Sequence, residues 1–141
     1  MAAQFSADGK WIAYESNQSG RYEIYIRPFT GERPSPAGRW QVSNGGGVLP
    51  RWRRDGKELF YISGTGGAGA KLMAVSVRSS GTSVETDTPR ELFPVTFPGN
   101  VTSPYDVSSD GQRFLVLELT GGNQAPAPLT VVLNWQAGLK R

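Results

Sequence analysis

Four neighbouring residues in this chain of 141 have types and spacing suited to holding a ligand: Arg51, Trp52, Arg53 and Arg54. They form the densest basic cluster, with an indole set inside it. Alternate side chains of a strand face opposite ways, so Arg51 and Arg53 share one face and Trp52 takes the other. Two guanidinium groups on one face can present paired N–H donors to a carboxylate or phosphate. The competing reading is a solvated strand edge. Little other chemistry is open to the chain. With His 0 and Cys 0, disulfides, imidazole and thiolate metal sites, and Ser-His-Asp or Cys-His mechanisms are all excluded from this chain alone. Glu58, Asp106 and Glu118 are single carboxylates, whereas glycoside hydrolysis needs two at a set separation. Gly45-Gly46-Gly47 is a turn and no phosphate cradle, because no Lys-Ser/Thr helix start follows it. Trp11, Trp40, Trp52 and Trp135 could stack on sugars or pack between layers, and packing is the plainer role. No catalytic residue, metal or cofactor is assigned.

What must position the basic cluster is a repeated element. Phe5-Ser6-Ala7-Asp8-Gly9-Lys10-Trp11-Ile12-Ala13-Tyr14 is an Asp-Gly turn followed by an apolar run. Trp52 to Tyr61 repeats it around Asp55-Gly56, and Val107 to Val116 repeats it around Asp110-Gly111. Asp-Gly tolerates the positive φ angles of a tight two-residue hairpin. The three Asp are therefore turn residues, not metal ligands. They stand 47 and 55 residues apart, close to the ~40–50 residues of a propeller blade repeat. Strands are expected over 11–14, 22–27, 39–43, 49–52, 58–62, 71–77, 90–93, 105–107, 113–117 and 129–135, about eleven in all counting a first one before Asp8. Pro28 should end the second, having no N–H for the ladder. The polar stretch 78–89 reads as a loop, as does glycine-rich 63–70, and the tail from 136 reads as one helical turn. No segment has a sustained helical period. The fold class is all-β: three propeller blades of about four antiparallel strands each, an incomplete (half) propeller, with blades near 1–44, 45–94 and 95–141.

These repeats resemble the TolB-like, WD-like β-propeller repeats with a Pro-Asp-Gly signature. Ala7, Arg54 and Ser109 stand where the proline would be. The likeness covers nearly the whole chain and implies the fold more than a function, since propellers host many roles. Arg21 to Phe29, Gly47 to Arg54 and the ending Val131-Val132-Leu133-Asn134-Trp135 resemble the C-terminal part of bacterial proteins in which such a propeller follows a serine/threonine kinase. There the propeller is the sensing or interaction half. This chain has neither the kinase glycine-rich loop nor the His-Arg-Asp loop.

The functional expectation is a non-catalytic module for protein–protein or ligand binding, with Arg51, Trp52, Arg53 and Arg54 as its site. The alternatives are a propeller hydrolase or lyase acting on sugars, and an inactive truncated remnant. The partner is another protein or the chain itself, as a homodimer closing a six-bladed ring. The first blade begins on an inner strand, and the third has no candidate outer strand. A net charge of +3, without any run of like charges, gives no reason to expect nucleic acid. No apolar run approaches the ~20 residues of a membrane span. Met1-Ala2-Ala3-Gln4 lacks the features of a signal peptide, so the chain is expected to be soluble. It would be periplasmic only as part of an exported parent.

Overall fold

The computed structural model describes residues 1–31, 38–64, 69–97, 101–117 and 129–133, the last stretch by its backbone. Twelve strands form three antiparallel sheets, and no helix occurs among the described residues. The first sheet runs β1 (Ala3–Phe5), β2 (Trp11–Ser16), β3 (Glu23–Pro28), β4 (Trp40–Gln41) in that order. The second runs β5 (Gly47–Trp52), β6 (Glu58–Ser63), β7 (Lys71–Ser80). β7 is long enough to pair both β8 (Ser83–Thr86) and β9 (Arg90–Pro94). The third runs β10 (Tyr105–Val107), β11 (Arg113–Leu117), β12 (Leu129–Leu133). Each sheet is an up-and-down meander, as in a propeller blade.

The middle sheet explains the stacking. In β6 the residues Glu58 to Ile62 are all buried, so neither face meets water and both need a cover. Leu59 and Tyr61 join a core with Trp11, Ala13, Ile24 and Ile26 of the first sheet. Phe60 and Ile62 join another with Tyr105, Phe114 and Val116 of the third. The strand's period of two thus divides its side chains between two cores. Phe114 is wedged edge-on between Phe60 (5.0 Å) and Phe93 (5.7 Å), the geometry that aromatic quadrupoles favour. Trp11 meets Trp40 edge-on at 6.0 Å. Burial also pushes the Tyr61 phenol up to about 12, which keeps it neutral.

The three Asp-Gly hairpins are built alike, and not as two-residue turns. Five residues separate the two strands each time, and only the glycine among them is left-handed: Gly9 at φ 70, Gly56 and Gly111 at 71. The Asp keeps an ordinary φ and works through its carboxylate. Asp8 Oδ1 accepts the Lys10 N–H (3.0 Å) and the Ser6 hydroxyl (2.6 Å). Asp110 does the same with Gln112 N–H (3.0 Å) and Ser108 Oγ (2.5 Å). In the second repeat Arg53 replaces the serine, giving two guanidinium bonds of 2.8 Å to Asp55. Such local side-chain-to-backbone bonds stabilise turns. They also hold all three carboxyls below the usual range.

The stretch 78–89 is not a plain loop. β7 continues to Ser80, turns at Gly81 (φ 60) and returns as β8. This outer hairpin has polar side chains on both faces apart from Val84, which plugs the core between the first two sheets. Pro28 is the last residue of β3, as expected, and β4 is a short edge strand. The chain ending at 134–141 and much of the 63–70 loop fall outside the described residues.

Glu23 fastens the passage from the first sheet to the second. Its side chain is 1% exposed and takes bonds from Arg21 Nε (2.7 Å), Ser43 Oγ, Gly45 N–H (3.1 Å) and Gly46 N–H (3.0 Å). Burial pushes its pKa up, and the bonds from Ser43, Arg21 and the two glycines outweigh it, leaving the pKa below the usual 4.5. A carboxyl depressed in the folded state stabilises above the unfolded pKa, and that stability is lost as pH falls through the folded value. Glu23→Gln should therefore be less stable than the wild type at neutral pH by ~1–3 kcal/mol. The gap should narrow as the pH falls below about 4, read from urea unfolding at a series of pH values.

Candidate functional site

The inner strands of the three sheets, β1, β5 and β10, each lead into an Asp-Gly hairpin. Where they end, they line a shared open cleft of about 290 Å³. Gln4 and Phe5 supply one wall, Trp52, Arg53 and Arg54 the second, and Asp106 and Val107 the third. Three of the four residues singled out from the sequence are thus brought to one place, and Arg51 lies just outside it.

Their states differ sharply. Trp52 is 6% exposed. Its N–H donates to Gln4 Oε1 (2.7 Å) and its indole N–H to the Gln4 carbonyl (3.2 Å). Trp52 therefore seals the first sheet to the second. Arg51 turns the other way. Its guanidinium lies over the Tyr105 ring at 5.8 Å and donates to Ser103 Oγ (3.0 Å) and to its neighbour Pro50's carbonyl (3.1 Å). Arg53 clamps Asp55 and donates to Glu58 Oε2 at 2.9 Å. Asp55 raises the Arg53 pKa further still. Arg51 and Arg53 both reach toward the third sheet, Arg53 passing against Gly111, and Trp52 toward the first, as strand alternation requires. Arg54 alone of the four is exposed, without a hydrogen bond or ion pair among the described residues.

Several positioning residues carry no obvious sequence signal. The register of β5 on β6 shifts between Val48 and Arg51. Pro50, which has no N–H to give, sits in this bulge. Leu49 there has φ 58, the sole left-handed non-glycine among the described residues. Its N–H donates to Glu15 Oε2 (2.9 Å) and its carbonyl accepts from the Tyr105 hydroxyl (2.6 Å). One strained residue is thus tied to the first sheet on one side and the third on the other, which is how such strain persists. Burial holds the Tyr105 phenol far above its ordinary value, so it remains a donor. Gln4 could have been found. Counted back from each Asp, Gln4, Arg51 and Asp106 occupy one repeat position.

A second cleft, of about 490 Å³, opens between the first two hairpins and holds both Asp8 and Asp55. Paired carboxyls there would suit hydrolysis only if one stayed protonated near neutrality. Both are instead held low, Asp8 chiefly by the Ser6 hydroxyl and Asp55 chiefly by Arg53. Glu58, itself buried, is paired with Arg53 and Arg90. No group of three or more acidic side chains is placed to hold a metal ion among the described residues. Trp11, Trp40 and Trp52 lie in or against the core between the first two sheets. Trp135 and Glu118 lie outside the described residues.

No protein-family model and no curated protein matches the chain. Solved structures do. TolB from Acinetobacter baumannii superposes with a TM-score of 0.66 at 15% identity, over 95% of this chain and 30% of that one. A putative 6-phosphogluconolactonase from Bacteroides uniformis follows with a TM-score of 0.54 at 13% identity, over 93% of this chain and 39% of its own. The chain therefore has a TolB-like propeller fold and spans only about a third of the length of these proteins. The resemblance to kinase-linked proteins finds no support in them. No helix is long and apolar enough to cross a membrane among the described residues.

The two kinds of arginine should separate on substitution. Arg53→Ala strips the buried Glu58 of one of its two cations and should cost ~1–3 kcal/mol. Arg54→Ala should stay within about 0.5 kcal/mol of the wild type, as exposed positions do. Urea unfolding of the two variants checks this.

Proposed function

We propose that this chain is a non-catalytic binding module that holds an acidic group of a protein or small-molecule partner in the cleft between its inner strands. The observation that supports this is the asymmetry among the clustered arginines. Arg51 is occupied at the boundary with the third sheet, on Ser103 and the Tyr105 ring, and Arg53 within its own hairpin, on Asp55 and Glu58. They stiffen the rim and leave the Arg54 guanidinium turned to solvent beside the cleft, with its charge unspent. The hairpin fixes where the guanidinium is displayed, and its planar fork matches a carboxylate with two N–H donors, which favours carboxylate recognition. Ser109 adds a hydroxyl on the facing wall, the Ser108 hydroxyl being spent on Asp110. The chain contains neither imidazole nor thiol, Asp8 and Asp55 are held low and Glu58 is paired with two arginines, so binding without turnover is the economical reading.

Anisotropy titration of a labelled acidic peptide, rich in Glu, tests it. Saturable binding should weaken with added salt. Arg54→Glu should lower affinity at least about tenfold, a loss of ~1.4 kcal/mol, with unchanged urea unfolding. Equal binding by wild type and Arg54→Glu would refute the site.

A further inference from the structure

The three repeats can be superposed through their strand registers. Phe5 opposes Ile12 as Trp52 opposes Leu59, and Asp106 opposes Leu115 as Arg51 opposes Phe60. Phe29 N–H donates to the Lys10 carbonyl as Val77 N–H donates to that of Lys57. On this correspondence the exposed large apolar residues within the strands and turns cease to be scattered. Phe5 is 53% exposed where its counterpart Trp52 is 6%. Phe29 is 47% where Val77 is 4%, and Leu115 is 42% where Phe60 is 0%. Phe5 and Phe29, in edge-on contact at 5.0 Å, lie on the outward face of the first sheet. In the second sheet the same face is the one buried on the first. Leu115 lies on the outward face of the third sheet, and in the second sheet that face is the one buried on the third. The two outward faces are thus the two halves of the inter-sheet contact already made twice inside the chain.

We propose that the outward face of the first sheet is covered by the outward face of the third sheet of a second copy, head to tail, so that two chains close one ring of six blades. The intramolecular contacts show what each face accepts. Where Gln4 and Arg51 reach across to Trp52 and Tyr105 of the next inner strand, Asp106 reaches across to the partner. It is exposed and makes no ion pair among the described residues, and its carboxylate accepts only from the adjacent Val107 N–H there. The first sheet's outward face offers it a complementary charge. Arg27 stands opposite Ile12 on that face and also makes no ion pair among the described residues. Polar residues at this rim set the register while the apolar pairs supply the burial. A head-to-tail contact closes only if the rotation per chain fits, and otherwise grows open chains. Six blades lies inside the ~4–8 range of closed propellers.

Sedimentation velocity and light scattering across a dilution series, on the full chain, provide the test. The wild type should run at twice the 15.3 kDa chain mass. Phe29→Glu and Leu115→Glu each alter an exposed side chain, so each should remain folded by circular dichroism and run as a monomer. An equimolar mixture of the two should regain a dimer, because one native contact survives between them. A wild-type monomer, a dimer insensitive to Leu115→Glu, or a ladder of larger species would overturn the closed head-to-tail ring.

Discussion

A sheet that is apolar on both faces cannot stand alone in water, and everything else in this molecule follows from that. β6 hides five consecutive side chains, Glu58 to Ile62, by sending Leu59 and Tyr61 to one core and Phe60 and Ile62 to another. A strand pleated with period two permits this only when a sheet lies on each side. The polar links are arranged around the same stack. Gln4 on Trp52, Arg51 on Tyr105, and the Glu15–Leu49–Tyr105 line all cross from one sheet to the next. Each has at least one end on an inner strand. The interior is stabilised by burial and aligned by these few directional bonds.

Much of this is legible in the residues. Three copies of Asp-Gly followed by an apolar run give three meanders, and Pro28 and Trp40 mark a strand end and an edge; the Trp11 to Tyr14 run, apolar on both faces, is buried on one, Ile12 and Tyr14 being half-buried. Features set by tertiary contacts are not. The outer part of the β7–β8 hairpin, 78–86, has one buried residue, Val84, and a ribbon polar on both faces resembles a loop. The left-handed Leu49 before a proline contradicts its local preference. It holds because Glu15 and Tyr105 bind its backbone from two sheets, and no neighbour in sequence announces that. The Asp-Gly turn is a case between the two. Its position is plain, but the Asp carboxylate, not a positive φ at Asp, is what locks it.

The candidate site was half legible. A cluster of Arg, Trp, Arg, Arg draws the eye as a ligand grip, and three of its members do border one cleft. Sequence could not say that Arg51 has partners across the sheet boundary, Ser103 and Tyr105, brought near by folding, or that Arg53 turns back on Asp55 and Glu58 of its own hairpin. What remains for recognition is a single free guanidinium on a stiffened rim, a smaller claim than four binding residues and a better located one. The fold itself assigns no activity, as its likeness to both TolB and a putative lactonase illustrates.

Since the account rests on blades being covered on both faces, the most direct measurement is of the accessibility of the end faces themselves. Hydroxyl-radical footprinting read by mass spectrometry compares Phe5, Phe29 and Leu115 with buried Phe60 and with exposed Met1 in the same sample. The account predicts that in the assembled protein those three side chains oxidise at rates close to that of Phe60. Oxidation at the rates of freely exposed side chains, undiminished at high protein concentration, would contradict it.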